Sequence, residues 1–224
     1  MPQEIIIINL LLPFTLGRVN CYLIRTDTGY ILIDTGCSNR RTDLEKELGS
    51  AGCEPGNLKA IVLTHGDFDH TGNAAYLRKK FNTKILMHHD DSGMVERGNM
   101  FWNRNRSNIL IRQIAPILSG FGKSERFKPD LYIEDGDDLS RYGFEARVLH
   151  IPGHSKGSIG VMTTDSNLFC GDLLTGDKPT LNSIMDSLEV ANASLDRLKS
   201  LSIKAVYPGH GKSFLIEALI ANNY

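Results

Sequence analysis

The sequence predicts an α/β fold held in one domain. Two observations carry that expectation. Short β-rich runs alternate with helical patterns along the 224 residues. A strand ending in Asp, then a helical pattern, then a strand ending in His occurs once in each half. An apolar content of 41% supplies enough nonpolar surface for a sizeable core. No low-complexity linker marks a boundary, so residues 1–224 are taken as a single domain, interrupted by a helical insert at about 89–130.

The elements follow in order. Residues 5–11 are an apolar run closed by Pro13; it is too short to cross a bilayer and reads as a buried strand. The preceding Met-Pro-Gln-Glu lacks the basic start of a signal peptide. Further strands are expected at 20–25, 30–34, 59–64, 84–88, 131–134, 144–150, 158–163, 167–171 and 204–207, with Gly, Pro and Asp in the gaps. Helices are expected at 39–51, 73–81, 187–200 and 213–221. In the third, Leu188, Ala191, Leu195, Leu198 and Leu201 recur near the 3.6-residue period and give one apolar face. The repeated half-motif is Ile31-Leu-Ile-Asp34 with Ala60-Ile-Val-Leu-Thr-His65, then Leu168-Phe-Cys-Gly-Asp172 with Ala205-Val-Tyr-Pro-Gly-His210. Strand ends on one edge of an open α/β sheet are where such proteins place their sites.

A formal net charge of −1 gives no wholesale attraction to nucleic acid or an acidic membrane, so neither is expected as a partner. Cys21, Cys37, Cys53 and Cys170 are scattered, form no CxxC pair and sit in or beside apolar segments. Buried free thiols and a reducing, cytoplasmic setting are the expectation. No Ser-His-Asp arrangement competes, and there is no GxxxxGK[ST] loop.

The chemistry concentrates in Thr64-His-Gly-Asp-Phe-Asp-His-Thr-Gly72, where His65, Asp67, Asp69 and His70 fall within six residues. An apolar strand leads in and a helical pattern leads out, which holds the ligands on a rigid edge. Three more candidates stand at turns after strands: His154 in Ile151-Pro-Gly-His, Asp172 in Cys170-Gly-Asp, and His210 in Tyr207-Pro-Gly-His-Gly211. Neighbouring glycines let the backbone turn sharply there. Seven nitrogen and oxygen donors without a thiolate would serve two cations such as zinc, iron, manganese or cobalt.

Thr64–Gly72 resembles the HxHxDH signature of the metallo-β-lactamase superfamily. The stretches IPGHSKGS, FCGD and PGHG are similar to that family's later motifs, and ILIDTG, with Asp34, is similar to its first. Motif order and spacing match from about residue 5 to 215. The resemblance implies a four-layer αβ/βα sandwich with two divalent metal ions, zinc by preference, at one edge between two sheets. Carried over, one metal would take His65, Asp67 and His154, and the other Asp69, His70 and His210. Asp172 would bridge them, and Asp34 would orient a ligand. Asp69 would also handle the proton of the attacking water. The implied activity is hydrolysis of a small ester-like substrate, a thioester or lactone, by a metal-bound hydroxide. The hydroxyacylglutathione hydrolase-like branch is the nearest in kind, although this chain ends 14 residues after His210, without that enzyme's C-terminal helical domain.

Asp67 departs from the pattern, which has His there. A carboxylate is harder and anionic, and shifts preference toward iron or manganese. The alternative functions are therefore an iron-dependent redox protein, sulfur dioxygenase-like or flavodiiron-like, and a non-catalytic binding module; Asp67 could also simply hydrogen-bond its own loop. Residues 89–130 hold the single Trp, five Arg and two Lys among several aromatics, and a helix at about 107–119. Substrate contacts are sought there, at Trp102, Arg104 and Arg106, with a packed helical pair or a homodimer contact as the other use. His88 and His89 are expected to be surface or packing histidines, although one of them could face the pocket. His150 is expected to be a satisfied core or edge histidine. Asp90-Asp91 and Asp137-Asp138 are expected in turns.

Overall fold

The structure, a computed structural model, describes residues 4–13, 17–104, 125–177 and 179–221. Strands β1 (Glu4–Leu11), β2 (Arg18–Thr26) and β3 (Gly29–Ile33) form an antiparallel meander. β4 (Leu58–Val62), β5 (Lys84–Met87) and β6 (Leu131–Tyr132) add to β3 in parallel, in the order β1-β2-β3-β4-β5-β6. The second sheet contains β7 (Ala146–His150), β8 (Ile159–Thr163), β9 (Asn167–Thr175), β10 (Thr180–Leu181), β11 (Ala205–His210) and β12 (Phe214–Leu215). Its order is β12-β11-β9-β8-β7, with β10 on β9 and one parallel pair, β9 with β11. The helices are α1 (Arg41–Ser50), α2 (Phe68–Thr71), α3 (Ala74–Phe81), α4 (His89–Arg97), α5 (Leu188–Lys199) and α6 (Ile216–Ala221).

Alternation along the strands separates three cores and so defines four layers. Along β3, Leu32 faces Leu44 and Leu48 of α1 and Leu77 and Phe81 of α3. Ile31 and Ile33 point the other way, into the seam between the sheets, with Val62, Leu86, Val148, Val161 and Phe169. On the far side of the second sheet, Leu168 and Cys170 pack with Ala191, Leu195 and Leu198 of α5 and Leu219 of α6. Strands buried on both faces must be apolar at successive positions, which explains runs such as Ile31-Leu-Ile33. The expected αβ/βα sandwich is the fold observed. All four cysteines are free and buried. Among the described residues, no helix is long and apolar enough to cross a membrane.

Local departures have physical reasons. The segment expected as helix 213–221 begins as β12, because Phe214 and Leu215 pair with Val206 and Ala205 and cover the edge of β11. Leu188 does not join the apolar face of α5; it is 62% exposed, and Ala191, Ser194, Leu195 and Leu198 are the buried residues. Asp91 is not in a turn; it lies in the first turn of α4 and is buried. The proposed helix 107–119 and Arg106 lie outside the described residues.

Candidate metal centre

Two of the parallel strand pairs, β3 with β4 and β9 with β11, bring their C-terminal ends to one edge of the sandwich. Asp34 and His65 follow β3 and β4, Asp172 lies within β9, and His210 ends β11. The chain is extended at Asp67 and then turns into α2, which carries Asp69 and His70. His154 comes from the connection between β7 and β8. All seven candidate ligands are thus brought to one place by both halves of the fold.

Their donor atoms converge. His154 Nε2 and His65 Nε2 lie 3.0 and 3.6 Å from Asp67 Oδ2. His70 Nε2 and His210 Nε2 lie 3.8 and 3.4 Å from Asp69 Oδ2. Asp172 stands between the remaining pair, with Oδ1 3.3 Å from His70 Nε2 and Oδ2 3.3 Å from His210 Nε2. Ligand atoms of His65, His154 and Asp172 lie within 4.8 Å of one another, as do those of Asp69, His70 and His210. Gly209 is required by this crowding, because a Cβ there would come 2.2 Å from Asp172 Oδ1.

Each imidazole is held from behind by its other nitrogen. His70 Nδ1 donates to Asp34 Oδ2 at 2.8 Å, His154 Nδ1 to the Ile184 carbonyl at 2.6 Å, and His210 Nδ1 to the Arg18 carbonyl at 2.7 Å. The Thr64 hydroxyl donates to Asp34 Oδ2, which leaves its oxygen to accept from His65 Nδ1 at 3.0 Å. A proton on every Nδ1 leaves the lone pair of every Nε2 facing inward, the arrangement that fixes tautomer and ring orientation for metal ligation. His65 Nε2, His70 Nε2 and Asp172 Oδ1 are buried without a hydrogen-bond partner among the described residues. Buried polar atoms are normally paired, so such orphans call for a cation. Asp34 also accepts from the Thr64 backbone N–H at 2.9 Å and holds a left-handed φ of 59° to do so.

The electrostatics agree. Burial alone would raise Asp67, but the Arg104 guanidinium, with His154 and His65, holds it well below the usual carboxylate range. Burial is likewise outweighed at Asp172 by His210 and His70, and at Asp69 by His70 and His210. In return, Asp172, Asp34 and Asp69 raise His70 well above the ordinary imidazole range against burial, and Asp172 lifts His210 to about 11 despite burial. Asp67 raises His154 in the same way. A pocket that draws protons this strongly is one built for positive charge. Burial pushes the Cys170 thiol up to about 12, so it stays an inert neutral thiol beside the centre.

Two residues behind the ligands are not visible as functional in the sequence. Buried Asp91 accepts from Gly66 N at 3.0 Å, Ser155 Oγ at 2.6 Å and Gly157 N at 2.8 Å, and so ties the His65 loop to the His154 loop. Asp186 lies 3.2 Å from Arg104 Nε. The substrate-contact expectation for Arg104 needs correcting: its side chain is 3% exposed, and Nη1 lies 2.8 Å from Asp67 Oδ1. The anions it meets are the protein's own. Trp102 lies against Gly93 of α4 with the Arg97 guanidinium over its ring at 3.9 Å.

The family model of the Metallo-beta-lactamase superfamily matches residues 14–210. The chain belongs to the metallo-β-lactamase superfamily. It is similar to the hydroxyacylglutathione hydrolase GloC of Haemophilus influenzae, 29% identical over 171 residues, or 73% of this chain and 70% of that protein. It is similar to the acyl-coenzyme A thioesterase MBLAC2 of Bos taurus, 27% identical over 232 residues, covering 93% and 79% of the two chains. Among solved structures it is similar to TTHA1623 in a di-iron-bound form, with a TM-score of 0.69, 29% identity and 95% of each chain covered. This member of the superfamily therefore carries candidate His and Asp clusters on a metal-binding fold.

Proposed function

We propose that this superfamily member is a dinuclear metal-dependent hydrolase of a small acyl thioester whose carrier is anionic. The observation that carries the hydrolase reading is the set of four inward Nε2 atoms and three carboxylates, each imidazole held from behind. His65, Asp67 and His154 would hold one divalent cation and Asp69, His70 and His210 another, with Asp172 shared. Bound zinc ions would supply a water acidic enough to lose its proton near neutral pH and an electrophile for the carbonyl oxygen.

The chain's own residues do the rest. Asp69 would take the proton of the attacking water and return it to the departing thiolate. Asp34 and Thr64 keep His70 and His65 in one tautomer throughout. A cavity of about 750 Å³ opens beside His210, lined by Arg18 and Lys212 together with Asn9, Asn20, Ile7 and Tyr22. Arg18 and Lys212 outnumber the one carboxylate in its lining, Asp177, and suit a phosphate or carboxylate on the carrier, while Ile7 and Tyr22 give it an apolar wall. The relatives named for acyl-coenzyme A and hydroxyacylglutathione hydrolysis support the thioester class.

The test is a panel of acyl-coenzyme A and acylglutathione thioesters, lactones and phosphodiesters, assayed on zinc-loaded and chelator-treated protein. Thioester turnover that needs metal, with a raised KM in Lys212→Glu, is expected. A second reading, an iron redox protein, is favoured by the carboxylate at Asp67 and the di-iron-bound neighbour. Two irons with oxygen consumption and no hydrolysis would replace the first reading with the second.

A further inference from the structure

Asp67 stands where the family pattern has an imidazole, and the structure shows what accompanies it. Buried Asp67 and Arg104 and partly buried Asp186 form a triad drawn from three separate connections. Arg104 Nη1 lies 2.8 Å from Asp67 Oδ1, Nε lies 3.2 Å from Asp186 Oδ2, and Nη2 reaches toward the His154 carbonyl at 3.5 Å. Asp186 is itself anchored, its N–H donating to the Gly153 carbonyl at 2.8 Å. The other Asp67 oxygen, Oδ2, faces His154 Nε2 and His65 Nε2. The two carboxylate oxygens are thus given different tasks: one is turned to the guanidinium, the other to the donor cluster.

We infer that Arg104 is a positioning residue that makes aspartate a working replacement for histidine at position 67. An imidazole offers one donor atom and no charge. A free carboxylate offers two donor atoms and a full negative charge, in a centre already crowded with Asp69 and Asp172. Arg104 removes Oδ1 from competition and offsets part of the charge, so Oδ2 alone would be offered to a cation held with His65 and His154. The planar fork suits this task because Nη1 and Nε lie within ion-pair distance of two carboxylates at once, which an ammonium on a flexible stem does not reproduce. Asp186 supplies a second negative charge beside the guanidinium, which offsets part of the cost of burying it.

This inference rests on the metal-centre reading, and the test separates the two. Co(II) is titrated into metal-depleted wild type, Arg104→Gln, Asp67→His and the double variant, with uptake and the visible spectrum as readouts. Arg104→Gln is expected to weaken the less tightly held Co(II) equivalent by about tenfold or more, in the range found when an outer partner of a ligand is lost. Its d–d bands are expected to shift as Oδ1 joins coordination. In the Asp67→His background, the same Arg104→Gln change is expected to alter affinity less than twofold and leave the spectrum unmoved. Equal losses in both backgrounds, or no loss in either, would overturn the inference, since Arg104 would then act on the fold alone or not at all. Wild type that takes up no Co(II) would sink the metal reading itself, and this inference with it. If Arg104→Gln fails to fold by circular dichroism, Arg104→Lys is read in its place, in both backgrounds, against the same outcomes. Lysine keeps the charge but loses the fork, and a smaller, still background-dependent weakening is expected.

Discussion

Two groups of histidines and carboxylates lie at the C-terminal ends of neighbouring strands, and they are built in opposite senses. In the candidate metal centre every Nδ1 is bonded back to the protein, and the Nε2 atoms converge on one another and on three carboxylates. The second group, His88, His89 and His150 with Glu134, has the same residue types and even stacked rings, with His88 and His150 4.3 Å apart at 5°. There, His88 Nδ1 accepts from the Asp90 N–H and caps α4, which leaves its proton on Nε2, 2.9 Å from Glu134 Oε2. His89 Nδ1 meets Glu134 Oε1 at 2.7 Å, and His150 Nε2 donates to the Lys156 carbonyl at 2.8 Å. Burial, then the adjacent His150, lowers His88, so it remains neutral and hydrogen-bonded. Ligand-capable atoms of His88, His89 and Asp90 also lie within 4.8 Å of one another, so density alone does not separate the two groups. What matters is where each ring's second nitrogen goes.

That contrast can be broken from either side. The largest effect is expected from Asp172→Ala, which removes the carboxylate between His70 and His210: cation uptake by elemental analysis and metal-dependent turnover should both vanish while the circular dichroism spectrum is kept. Retained turnover in that variant would end the shared-carboxylate account. Next is Gly209→Ala, whose added Cβ pushes on Asp172 Oδ1; kcat/KM should fall by about 10²-fold, the scale of an ångström-level misplacement. Asp34→Asn keeps the shape but weakens the support behind His70 and Thr64, and a loss of about 10- to 100-fold in metal affinity is expected by competition with a chromophoric chelator. The smallest effect belongs to the other cluster. Glu134 is half exposed, so Glu134→Gln should leave metal content unchanged and move stability by under about 1 kcal/mol in a urea titration. A drop in bound metal there would erase the distinction drawn between the two groups.

Much of this was legible in the sequence because the signals are local. Strands such as Gly29–Ile33 declare themselves by continuous apolar residues. His65, Asp67, Asp69 and His70 share one loop, and Pro-Gly-His or Gly-Asp turns mark the remaining ligands. The supports are not local. Arg104 and Asp186 are distant in sequence and meet only after α4 and the segment before α5 fold over the centre, so an arginine among aromatics resembled a substrate contact. Asp91 sits beside Asp90 with nothing in composition to tell them apart; only burial against the His65 and His154 loops does. Phe214 and Leu215 carry no strand pattern of their own and become a strand because β11 offers an edge.

The seam between the two sheets gives the centre a second meaning. His65, Asp67, Asp69 and His70 belong to the first half of the sandwich, and His154, Asp172 and His210 to the second. Near the centre, polar ties add to the apolar core of that seam, such as the Tyr22 hydroxyl to the Pro208 carbonyl and the Asn20 amide to the Pro208 and Gly211 carbonyls. A cation held by donors from both halves would therefore work as a removable cross-link. A chelator would then be a mechanical reagent as much as a chemical one, removing a tie between two half-molecules along with the reaction.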